Sequence, residues 1–162
     1  TSLNLREKHG YTYGALSHLE SGRQSGPFVV STAVQSEVTA PAAKEAIAEI
    51  DRMRVEEITA DELSLATSYL GGVLPIRYET TDAIAGALAT LVRYDLPEDF
   101  YDTYREHVRA VTTADVLRVA QEHLDANAMQ MVVVGELESV QAPLEQLGFG
   151  PTKVYDTEGQ VL

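Results

Sequence analysis

The sequence predicts an α+β domain of two layers, a mostly antiparallel sheet with helices on one face. Three observations predict it. Apolar residues near the N-terminus alternate with a period of two between turn-rich segments. From Pro41 the apolar period lengthens to about 3.6 and stays there through a block of helices. The short run Met129-Gln130-Met131-Val132-Val133-Val134 then restores a strand pattern near the C-terminus. Strands, a block of helices and strands again make the α+β order.

The elements follow in turn. Residues 3–8, LNLREK, fit a last helical turn that Gly10 ends in the left-handed conformation. Tyr11 to Leu19 alternates as a strand, residues 20–26 are turn-rich, and the β-branched residues of Pro27 to Gln35 predict the returning strand of a long-looped hairpin. Pro41 suits a first helical position, and Ile47, Ile50, Met53 and Ile58 carry an apolar face as far as Thr59. Thr59-Ala60-Asp61-Glu62 is a capping box, so a second helix starts there with Leu63, Ala66 and Leu70 as its stripe. Gly71-Gly72 weakens that helix and Pro75 is expected to end it. Three more helices are predicted over Asp82 to Tyr94, Pro97 to Val111 and Thr113 to Leu124. Met129 to Val134 reads as a buried strand bounded by Asn127 and Gly135. A short, Pro143-limited helix to Leu147 and a terminal strand, Lys153 to Tyr155, complete the pattern.

Composition narrows the function. The 162 residues, 44% of them hydrophobic, are enough for one globular domain with a core. Asp and Glu number 25 against 12 Lys and Arg, a formal charge of −13 that repels nucleic acid and anionic membrane surfaces. No stretch of eighteen apolar residues occurs, so the piece is expected to be soluble with no readable address and an unknown compartment. The absence of Cys excludes disulfides, thiolate nucleophiles and Cys-ligated zinc.

Several chemistries fail on spacing. His9, His18, His107 and His123 form neither H-E-x-x-H nor H-x-x-E-H. Glu106-His107 and Glu122-His123 are adjacent residues, about 100° apart on a helix, and read as surface pairs. No serine sits in G-x-S-x-G and no glycine-rich phosphate loop is present. What remains is Arg6-Glu7-Lys8-His9-Gly10-Tyr11-Thr12-Tyr13-Gly14. A reversal at Gly10 brings the Arg6 guanidinium and the Tyr13 phenol towards one space, and two donors aimed at one point suit a peptide carbonyl or the oxyanion formed from it. The plainer alternative is that Arg6 caps helix carbonyls and Tyr13 packs in the sheet. His9 has no spaced partner and reads as a turn residue.

The segment from Leu5 to Gly14 resembles the L-R-E-x-x-G-x-x-Y pattern in C-terminal domains of the pitrilysin/insulinase family of zinc metallopeptidases. The hairpin, the Thr59-x-x-Glu62-Leu63 helix start, Val111-Thr112-Thr113-Ala114-Asp115-Val116 and Val132-Val133-Val134-Gly135 fall in the same order as in that family. The resemblance implies the family's two-layer domain over residues 1–162, without its first strand and helix, and therefore a fragment of a larger polypeptide. It implies that Arg6 and Tyr13 bind the substrate carbonyl and stabilise the transition state, while the zinc sits in a partner catalytic domain, in the same parent chain or a separate subunit. This chain itself would hold no cofactor and, lacking H-x-x-E-H, would be inactive alone; its partners would be that domain and an unfolded peptide. Exposed sheet edge and apolar surface would favour self-association. The alternatives are a structural or assembly domain that keeps the fold without protease activity, and a peptide-binding module that captures strands.

Overall fold

The computed structural model describes residues 5, 9–20, 22, 24 and 26–162. The predicted helical turn over residues 3–8 therefore lies, apart from Leu5, outside the described residues. The element order is β1 (Ala15–Leu19), β2 (Phe28–Thr32), α1 (Thr39–Val55), α2 (Ala60–Arg77), α3 (Thr81–Tyr94), α4 (Phe100–Ala110), α5 (Thr113–His123) and α6 (Leu137–Glu145). The class is α+β as expected. The chain forms two compact units, one of Thr1–Leu19, Phe28–Asp51 and Asp125–Leu162, the other of Glu20–Pro27 and Arg52–Leu124.

In the first unit, β1 and β2 pair antiparallel, with Ala15 opposite Thr32 and Leu19 opposite Phe28. The core beneath the hairpin is small. Leu5 is fully buried and meets Ala15 and Ala42, and Tyr11 and Val34 pack around them. The small side chains of Ala40 and Ala42 let the first turns of α1 sink into the unit, and Ile50 continues the same buried face. Val140 buries α6, which packs against the short turn at Ser36–Val38.

The second unit is helical and built by its caps. Thr59 accepts from the Glu62 N–H at 3.2 Å while Glu62 Oε2 accepts from the Thr59 N–H at 2.8 Å, so two orphan donors of α2 are satisfied reciprocally. Thr112 and Asp115 repeat the device at α5, and Thr80 caps α3 through the Ala83 N–H. α2 packs on α4. On α4 the Phe100 ring meets those of Tyr101 and Tyr104, and Tyr101 meets Tyr78, with centroids 5.1–6.0 Å apart. Val116, Leu117 and Ala120 form the covered face of α5, as their spacing predicts.

Four expectations are corrected. The second helix does not end at Pro75 but runs to Arg77. A helical proline crowds the carbonyl four residues back, here that of Gly71, and space around Gly71 and Gly72 is open. Tyr78 then closes the helix, its N–H shared at 3.3 Å between the carbonyls of Leu74 and Pro75. The covered line of α2 runs through Leu63, Thr67, Gly71 and Leu74, while Ala66 and Leu70 are exposed. Met129 to Val134 is neither a strand nor buried: Val132 and Val134 are 86% and 96% exposed, Met131 and Val133 43% and 38%. That alternation is strand-like, yet among the described residues no strand pairs with it, and β-propensity yields a strand only where neighbours supply a ladder. Lys153 to Tyr155 likewise reduces to a single bridge between Tyr155 and Val161.

Candidate functional site

The turn before β1 is built from short-range constraints. Gly10 takes φ +66°, the left-handed region in which a side chain is strained, and the Tyr11 N–H then closes onto the Leu5 carbonyl at 2.9 Å. Thr12 turns inward and is buried. Its Oγ1 lies 2.7 Å from the Ala33 carbonyl and 2.9 Å from the Gly14 carbonyl, and it accepts the Gly14 N–H at 3.1 Å. Thr32 adds a bond to the same Gly14 carbonyl at 3.1 Å. With Thr12 anchored inward, the next side chain must point the other way. Tyr13 is accordingly 100% exposed, its phenol free to meet a molecule from solvent.

Arg6, the other candidate, lies outside the described residues. For Tyr13, packing within the sheet is excluded by its exposure. His9 has more structure than a turn residue needs. Its ring stacks on Tyr11 with centroids 5.0 Å apart and planes 19° from parallel, and its Nε2 stands 3.6 Å from Glu45 Oε2 on α1. Thr12 and Glu45 are the residues that sequence reasoning missed: a threonine in a polar turn and a glutamate on a helix carry no local signal of either contact.

The other histidines keep to surface roles. His107 is exposed, and His123 Nε2 lies 3.7 Å from Glu122 of the same helix. Among the described residues no three His, Asp or Glu side chains are grouped to hold a metal ion. The second unit carries an open groove of about 420 Å³ lined by Leu63, Thr67, Arg109 and Val111, which includes neither candidate residue. The perturbed ionisations belong to structure. The Thr59 backbone N–H, then the Thr59 hydroxyl and Arg52, hold the Glu62 carboxyl below its usual range against the opposing effect of burial. The Thr112 hydroxyl and N–H hold Asp115 down, with Arg118 adding to them, and burial beside Tyr101 pushes the Tyr78 phenol up. No helix among the described residues is long and apolar enough to cross a membrane.

Residues 2–70 match the family model of the peptidase M16 inactive domain. This confirms the likeness to the zinc-less C-terminal domain of the pitrilysin/insulinase peptidases. The match contains the whole Leu5–Gly14 turn, the hairpin, α1 and the start of α2. Two solved structures share the fold. One is a peptidase M16 inactive domain from Pseudomonas fluorescens, with TM-score 0.69 and 24% identity, covering 76% of this chain and 29% of that one. The other is a protease from Helicobacter pylori, with TM-score 0.65 and 21% identity, covering 75% and 29%. The present chain thus spans less than a third of either neighbour. No curated protein matches the sequence.

Proposed function

We propose that this chain is the non-catalytic, substrate-binding half of a zinc metallopeptidase, with Arg6 and Tyr13 directed at the substrate carbonyl. The observation that carries the reading is the fully exposed Tyr13, presented by a turn fixed at Gly10 and Thr12, inside the segment that matches the M16 inactive domain. A phenol held outward can donate to a carbonyl oxygen, and a guanidinium supplies a second, charged donor to the oxyanion that forms when water adds. Zinc in a partner catalytic domain polarises that carbonyl and activates the water. The partner stands either in the same parent chain or as a separate subunit, and the substrate is an unfolded peptide. The acidic surface favours peptides of basic character. Taken alone, the chain self-associates through the open Met129–Val134 run, which a concentration series in the ultracentrifuge detects.

The test is Arg6→Ala and Tyr13→Phe in the assembled enzyme. Loss of one oxyanion donor lowers kcat roughly 10²–10³-fold. Near-normal turnover in both variants would leave the fold with a structural or assembly role.

A further inference from the structure

We propose that His9 and Glu45 form a proton-dependent clasp that positions the turn carrying Tyr13. The reading of Tyr13 as substrate-facing gives the clasp its functional meaning; the clasp itself rests on the contacts around His9.

His9 Nε2 is shut off from solvent and among the described residues has no hydrogen-bond partner, although Glu45 Oε2 stands 3.6 Å away. That separation exceeds a hydrogen bond, so the neutral imidazole leaves a buried polar atom unsatisfied beside a carboxylate. A proton on Nε2 changes the contact into a charge-assisted N–H···O bond, whose ordinary length is about 2.7–2.9 Å, and draws the two groups together. Histidine is the side chain that exchanges this proton near neutrality, while carboxylates stay ionised there.

The contact is wired to Tyr13. Glu45 belongs to α1, which the first unit holds through buried Ala40, Ala42 and Ile50. His9 precedes Gly10 and stacks on Tyr11, whose N–H is tied to Leu5; Thr12 then binds Ala33 and Tyr13 follows. Pulling the imidazole towards α1 therefore moves the Gly10 hinge and the Tyr11 ring, and with them the base of Tyr13. Among the described residues, the titratable groups in contact with the ring are Glu45 from α1 and the Tyr11 phenol from its own segment. Glu45 also has a further interaction of its own. Arg6 and Lys8 precede His9 in the sequence, and their charge is constant over the range concerned. His9 and Glu45 are thus positioning residues, acting on substrate through the turn.

The experiment is an NMR titration of the 162-residue chain from about pH 5 to 8, the range in which imidazoles titrate. Only four histidines are present, and His9→Gln identifies the His9 ring signal. In the wild type the Gly10 and Tyr13 amide shifts should follow the His9 ring titration, and in Glu45→Gln they should become flat over the same range. Amides indifferent to His9 in the wild type, or following it unchanged in Glu45→Gln, would overturn the clasp. Circular dichroism of both variants verifies the fold, and Glu45→Asp, which keeps the charge on a shorter side chain, should retain part of the amide response. In the assembled enzyme, peptide KM should vary with pH in the wild type and lose that variation in Glu45→Gln. A pH-independent KM together with a positive titration keeps the clasp and rejects the substrate role of Tyr13.

Discussion

Thr12 Oγ1 and the Ala33 carbonyl, 2.7 Å apart, join the turn before β1 to the segment after β2. Thr12 is the buried polar residue at the root of the candidate site, and its hydroxyl is the reason its neighbour faces outward. Thr12→Val keeps the shape but leaves the Ala33 carbonyl and the Gly14 N–H without this partner. The expected loss is about 1–3 kcal/mol in a denaturant melt, the penalty for unsatisfied buried groups. Tyr13→Phe, removing one fully exposed hydroxyl, should stay within about 0.5 kcal/mol of wild type in the same melt. The contrast separates a residue that builds the turn from one that the turn displays.

The capping boxes predict an acid transition. The folded state holds the Glu62 and Asp115 carboxyls below their ordinary ranges. Their stabilising effect is therefore complete above the unfolded carboxylate range and is lost as pH falls through the lowered folded values. Helical ellipticity and melting temperature should decline together on acidification through that window. Thr59→Ala, which removes one of the two boxes, should cost about 1 kcal/mol at neutral pH and weaken the acid dependence.

Gly72 lies on the exposed side of α2, and a methyl group there meets nothing within 4 Å. Gly72→Ala should raise stability by about 0.5–1 kcal/mol by reducing the freedom of the unfolded chain, read as a higher denaturation midpoint with an unchanged slope.

Asp95 ends α3 in the left-handed region with φ +54°, where a side chain crowds the backbone. Asp95→Gly should therefore be neutral to stabilising by up to about 1 kcal/mol, whereas Asp95→Val should be clearly destabilising in the same thermal melt.

Much of the fold was legible because its signals are local. Thr59 and Glu62 sit three residues apart and satisfy one another, so the start of α2 needs no tertiary information. Gly10 announces a left-handed residue by having no side chain, and it takes that conformation. The failures came where the outcome depends on distant neighbours. Met131 to Val134 has the composition of a strand, yet a strand is a relation between two segments and among the described residues no second one lies beside it. Pro75 marks a helix end by rule, but the cost of a proline depends on what surrounds the carbonyl behind it. Within the candidate site, spacing alone did not single out Tyr13, which the family resemblance brought forward, and Glu45 reaches His9 only through the path of α1.

The open run from Gln130 to Val134 also has an experimental use. Among the described residues no helical or ladder bond that slows deuterium uptake holds its amides, so a peptide covering it should reach full exchange while the helices are still labelling. The protein thereby contains its own zero point for protection. Binding of any strand along that run would appear first as a delay in this one peptide's mass gain.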